Sequence, residues 1–107
     1  MISLERYNFI KRQYGHCGSW AVWANEDKNP KDNVGDLSVL DITINPKILN
    51  QVNPDIVLVA LNISRKIKKP LANFHAPKPT ANDYKIRYAF RNTPFEGAYM
   101  TDIIKRL

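Results

Sequence analysis

Cysteine, histidine and glycine are all scarce: one, two and four residues respectively in a chain of 107. A lone Cys17 excludes an internal disulfide and any multi-cysteine metal cluster. His16 and His75 stand far apart with no helical spacing, which argues against a zinc site, and no metal or other cofactor is expected. Long apolar runs are missing too. The longest, Ile56 to Leu61, falls far short of the roughly 18 residues that mark a membrane span. The opening stretch MISLERYNFIKRQYG carries Glu5, Arg6, Lys11 and Arg12 and lacks the continuous apolar core of a secretory signal. Together these absences suit a reducing, cytoplasmic compartment and no membrane partner.

What is present is the composition of an ordinary globular protein, 44% apolar and 24% charged, at the size of one domain, residues 1–107. A chain of this length buries roughly 65% of its unfolded surface, enough to fold without a staple. Acidic side chains are outnumbered: sixteen Lys and Arg against ten Asp and Glu leave a net charge of +6. That balance favours polyanions as partners, although it also lies within the range that solubility alone explains.

Along the chain, residues 3–14 suit a short helix or irregular arm, with Leu4, Tyr7, Phe9 and Ile10 as apolar contacts. Gly15 and Gly18 break that pattern, and Ser19 to Ala24 reads as an aromatic-rich short strand. The polar residues 25–36 form a surface loop. Asp36 is a candidate N-cap for a helical face of Leu37, Leu40, Ile44 and Leu49, a reading that Pro46 opposes. Ile56 to Leu61 shows no polar alternation, the pattern of a strand covered on both faces in a parallel sheet. A loop of about twenty residues follows, with Pro70, Pro77 and Pro79; loops of that length are usually functional or disordered. Asp83 can cap a helix to about Asn92, and Ala98 to Ile103 reads as a second, mostly buried strand. Strand, loop, helix, strand is one crossover unit with its two strands parallel.

Ligands of open parallel sheets bind beyond the carboxyl ends of the strands. Asn62 sits at that end of the first strand, with Ser64 and Arg65 just past it, and Asp102 falls near the same end of the second. Neighbouring strands lie about 4.8 Å apart, so the two residues can face one pocket. The intervening loop adds Asn73, Phe74 and His75, while Arg65, Lys66, Lys68 and Lys69 make the densest basic patch. Amides, a carboxylate, an aromatic face and a basic loop are the parts of a nucleic-acid site. Each part also has a plain reading: Asn as a turn former, Asp as a cap, lysines as a solvated loop. Cys17 beside His16 is not the oriented pair that nucleophilic catalysis needs, and Trp20 and Trp23 read first as core.

The ordered pieces YGHCGSWAVW, IVLVALNISR, NFH and GAYMTDIIK resemble a family of bacterial and phage proteins related to the uracil-DNA glycosylase superfamily. The resemblance covers nearly the whole chain. It implies an α/β fold in three layers, a parallel-sheet core with flanking helices. In the mismatch-specific branch a buried strand ends in a Gly-Ile-Asn-Pro-Gly motif whose Asn positions the attacking water. Ala60-Leu61-Asn62-Ile63-Ser64 lies over that motif and keeps only Asn62. By the same resemblance Phe74 would stack on a flipped base and Asp102 would read its edge. The basic loop, read from its residues, would set Ser64, Arg65, Lys66, Lys68, Lys69 and His75 against phosphates, DNA rather than RNA being the expected partner. The superfamily sheet has four parallel strands and a late motif on its final strands. These 107 residues supply two clear strands and no such motif, so the chain matches either a truncated member, its N-terminal part, or a smaller fold. The expected function is a glycosylase-like domain that binds a nucleobase or nucleic acid, with catalysis in doubt. The alternative is a non-enzymatic phage or prophage protein that binds a protein partner, for which an exposed Trp20–Trp23 patch would speak.

Overall fold

The computed structural model describes residues 1–63 and 66–104, the side chain of Asn62 excepted. Helix α1, Leu4–Tyr14, starts where Ser3 accepts a hydrogen bond from the Arg6 N–H and ends at Gly15, with Glu5 in its first turn and Lys11 and Arg12 in its last, the charge order that suits a helix dipole. Strand β1, Ser19–Trp20, follows after a tight turn. Gly18 is required there, since a Cβ on it would stand 2.0 Å from the Tyr99 hydroxyl. A 3-10 helix, Leu37–Leu40, is capped by Asp36, whose carboxylate accepts from the Ser38 N–H. The continuous helix expected over this region does not form: turns lead through Pro46 into the single-turn α2, Ile48–Gln51, and Ile44 is exposed. Strand β2, Asn53–Asn62, helix α3, Asp83–Phe90, and strand β3, Ala98–Ile104, complete the order.

The sheet runs β1-β3-β2. β2 and β3 are parallel, as a crossover connection demands, with Val57 beside Tyr99 and Ala60 beside Asp102. β1 is antiparallel to β3, Ser19 opposite Met100 and Trp20 opposite Tyr99, so the sheet is mixed, not all parallel. The short turn after α1 delivers β1 to the sheet from the opposite direction, with no crossover helix to align it.

Two cores lie on the two faces. On the Tyr99 face, α1 brings Tyr7 against Trp20, ring centroids 6.3 Å apart, and Trp20 meets the edge of Tyr99 at 5.1 Å; Leu40, Ile48, Val52 and Leu71 close this cluster. The Tyr7 hydroxyl donates to the Leu40 carbonyl, tying α1 to the 3-10 helix. On the Met100 face, Ala21, Phe74 and Ala98 pack with Ile86 and Phe90 of α3 and with Leu58 and Ala60 of β2. Helical cover on both faces therefore exists over β1 and the start of β3 but does not extend to β2. Val57, Val59 and Leu61 are each more than half exposed, contrary to the reading of Ile56–Leu61 as covered on both sides. β2 is an edge strand, and an unbroken apolar run does not itself specify a partner for each face.

Between β2 and α3 the described residues hold no helix or strand, yet Asn73 to Ala76 are buried. A buried loop must have its polar groups satisfied, and hydrogen bonds exchanged with residues 17–23 do this. Ser19 donates to the Leu71 carbonyl at 2.8 Å, the Trp23 indole N–H to the Phe74 carbonyl at 3.0 Å, and Asn73 to the Cys17 carbonyl at 2.9 Å. Asp83 does not cap α3; it is the helix's first residue, and its carboxylate accepts from the Ala76 N–H at 2.8 Å, pinning the loop's end.

Candidate functional site

The parallel strands end beneath this pinned loop. Asp102 follows Ala98 and Met100 on the inward face of β3, where it is buried beside Ala60. The Asn73 amide donates to Asp102 Oδ2 at 2.8 Å, and its own oxygen accepts from the Phe74 N–H at 3.1 Å. A recess of about 440 Å³ opens at this point, lined by Ala60, Asn73, Phe74 and Asp102 on the floor and by Lys78, Thr80, Asn82 and Asp83 around the rim. The bond from Asn73 orients the Asp102 carboxylate at the floor of the recess. Phe74 takes a left-handed backbone conformation, φ 68°, uncommon for an aromatic residue and typical of positions that surrounding structure over-determines. Its ring is only 8% exposed, packed on Ala21, Ala98 and Met100, so it offers a limited strip of its surface to the recess.

A second recess, of about 730 Å³, adjoins the first and shares Ala76 and Lys78 with it. Lys66, Lys68, Lys69 and Lys78 supply four ammonium groups to its lining, and Asp36 and Asp41 two carboxylates. The three sequence-predicted lysines are thus brought together. His75 belongs to the same wall, but its ring is buried: Nε2 lies 2.9 Å from Ser19 Oγ and the ring stacks obliquely on Trp23 at 5.3 Å. Ser19 and His75 resemble a nucleophile and its base, and the geometry excludes that role. The hydroxyl has one proton, which goes to the Leu71 carbonyl, so toward the imidazole Ser19 accepts and Nε2 must carry hydrogen. The pair braces the loop.

Of the remaining sequence-predicted residues, Asn62 ends β2 with its backbone beside Ile104, two residues beyond the Ala60–Asp102 pair. Ser64 and Arg65 lie outside the described residues. Sequence reasoning missed Lys78, Thr80 and Asp83 as rim residues and Ser19 as a brace. Lys78 sits between two prolines in a segment with no periodic pattern, and nothing local marks it. Among the described residues no cluster of His, Cys, Asp and Glu is able to hold a metal ion, and no helix is long and apolar enough to cross a membrane.

Comparisons with protein-family models, curated proteins and solved structures gave no match to the chain.

Proposed function

We propose that the protein binds a nucleobase of single-stranded or mismatched DNA in the Asn73–Phe74–Asp102 recess, with the adjoining phosphates against the lysines, in the manner of a glycosylase-like domain. The carrying observation is that the aromatic and acidic residues singled out from sequence share one recess, which joins a four-lysine recess through Lys78. The recess also stands where parallel sheets place their ligands, at the carboxyl ends of β2 and β3. Asp102 is an acceptor for a base N–H, Phe74 an apolar wall, and the lysines a counter-charge for the backbone. The proposal is binding and not base excision. Asn62 lacks the glycines and proline that the resembled motif places around its water-positioning amide, and the close backbone approach they permit is lost.

An exposed Trp20–Trp23 patch would favour the protein-partner alternative. Trp20 is fully buried, and Trp23 is partly buried with its N–H committed to Phe74, so no such patch supports it.

The test is fluorescence anisotropy of a labelled single strand and of a mismatched duplex, begun at low salt. Binding is expected, weakening as salt rises. Lys68→Glu and Lys69→Glu should lower affinity for every sequence alike and flatten the salt slope by about 1 or more each. Asp102→Asn should instead change which base is preferred, and Phe74→Leu should cost about tenfold, within the range of one lost stacking contact, with circular dichroism verifying that the fold is retained. No binding at low salt overturns the proposal.

A further inference from the structure

β2 leaves one edge and part of one face uncovered. Among the described residues no strand pairs with its far side. On the Tyr99 face, Val57, Val59 and Leu61 of β2 and Ile103 of β3 are 54%, 53%, 69% and 68% exposed, and the register makes them neighbours in one apolar strip. Stable monomers guard such edges with charges, prolines or bulges. Here the guards, Pro54 and Asp55, stand only at the amino end, and nothing charged interrupts Ile56 to Leu61. Ala21 donates its N–H to the Ala98 carbonyl, so by strand alternation Ala98 and Met100 bond toward β1 and Tyr99 and Thr101 toward β2; Leu58 and Ala60 meet the latter, and Val57 and Val59 direct their backbone groups to the open side.

We propose that a second copy of this chain occupies this edge, the two β2 strands pairing antiparallel about a two-fold axis at Val59 to make one six-stranded sheet. The strip is self-complementary in that register: Val59 faces Val59, Val57 faces Leu61 of the other copy, and the two Val59 residues exchange backbone hydrogen bonds. Charge selects the same direction. Asp55 and Glu96 lie at the amino end of the strands and Lys66, Lys68 and Lys69 beyond the carboxyl end, so antiparallel pairing sets each acidic end toward the other copy's basic end. The apolar strip with its strand edge amounts to an area on the order of 500 Å² per copy, at the lower bound of what a specific association buries. The strip faces away from the Asn73–Phe74–Asp102 recess, so this inference stands independently of the nucleobase reading.

Sedimentation velocity across a wide range of protein concentration tests it. The native chain is expected to shift reversibly from monomer to dimer. Val59→Lys and Leu61→Lys change exposed side chains, so the monomer keeps its circular dichroism. Val59→Lys opposes two ammonium groups on the axis and Leu61→Lys sets an ammonium against Val57 of the other copy at two places, each raising the dimer Kd by about a hundredfold or more. Val59→Cys gives a second readout: a hydrogen-bonded pair on the axis has Cα atoms about 5.5 Å apart, within disulfide reach, so mild oxidation should link two copies, while Tyr88→Cys on exposed α3 should not. A native chain that stays monomeric throughout, a dimer indifferent to both lysine substitutions, or equal cross-linking through Val59→Cys and Tyr88→Cys overturns the inference.

Discussion

Asn73 joins three parts of the candidate site through one amide. Its Nδ2 donates to the Cys17 carbonyl and to Asp102, and its Oδ1 accepts from the Phe74 N–H, all within the buried interior. Asn73→Ala removes the amide donor from a buried carbonyl and a buried carboxylate together, which costs about 2 to 3 kcal/mol; a lowered urea midpoint with an unchanged m-value is the expected result. Asn73→Asp should cost more, because it replaces the donor to Asp102 with a second carboxylate. Gly97 offers a contrasting case in which backbone and not hydrogen bonding decides. At φ 85°, with a Cβ position 2.1 Å from the Gln51 carbonyl oxygen, it permits the turn into β3, and Gly97→Ala combines strain with a clash. At this scale the sequence exposes residue types and their order but not their partners. Asn73, Phe74 and His75 are legible as one loop, and Asp102 as a strand end. That Asn73 bonds Asp102, 29 positions away, and Cys17, 56 positions away, is set by the folded chain and leaves no local trace.

Helix α3 shows how an element organises a segment with no structure of its own. Buried Arg87 donates to the carbonyls of Ala24, Pro30 and Asp32, and Arg91 makes a two-pronged bond to Glu26 at 2.6 Å on each side, so the polar loop is gathered onto the helix. The hydrogen bonds from Arg91 hold the Glu26 carboxyl at about 2, below its ordinary 4.5. A carboxyl whose folded-state value is depressed stabilises the fold fully above 4.5, and loses that contribution as pH falls from 4.5 toward 2. Glu26→Gln is therefore expected to lower the melting temperature at neutral pH, with the gap from the native chain closing as pH falls through this window, as thermal melts at a series of pH values will show. Legibility differs between elements for physical reasons. β2 is readable because an uninterrupted apolar run has few other uses, β3 because a mostly apolar stretch follows a helix and a turn, and the extent of α1 because its apolar contacts stop at Gly15. The antiparallel direction of two-residue β1 is not readable, because so short a strand carries no periodicity. The bare face of β2 is hidden as well: its residues are apolar on both sides, and alternation is the only local signal that tells a covered face from an open one.

For the whole molecule, both proposals lead back to the net charge of +6 and make it act in opposite directions. Binding a single strand through the lysine recess releases counterions, at about 0.7 per neutralised phosphate, so contacts from four lysines give a salt slope of roughly 2 to 3 with affinity falling as salt rises. Pairing two copies brings two like net charges together while its contact strip is apolar. Added salt screens that repulsion over about 10 Å at 0.1 M and leaves the apolar contact intact, so the dimer should tighten as the DNA complex loosens. The acidic and basic strand ends oppose this trend through local attraction, but they lie at the margins of the strip and are screened alike. Anisotropy and sedimentation measured on one preparation, across the same salt series, give the two signs directly. Opposite signs are expected, with Lys68→Glu flattening the DNA curve and leaving the dimer's salt dependence largely in place, since a single exchange only lowers the net charge of each copy. A dimer that dissociates in salt as steeply as the DNA complex would mean that the edge is held by its charged ends and not by Val57, Val59 and Leu61. In that case Asp55→Lys, and not Val59→Lys, would be the substitution that separates the copies.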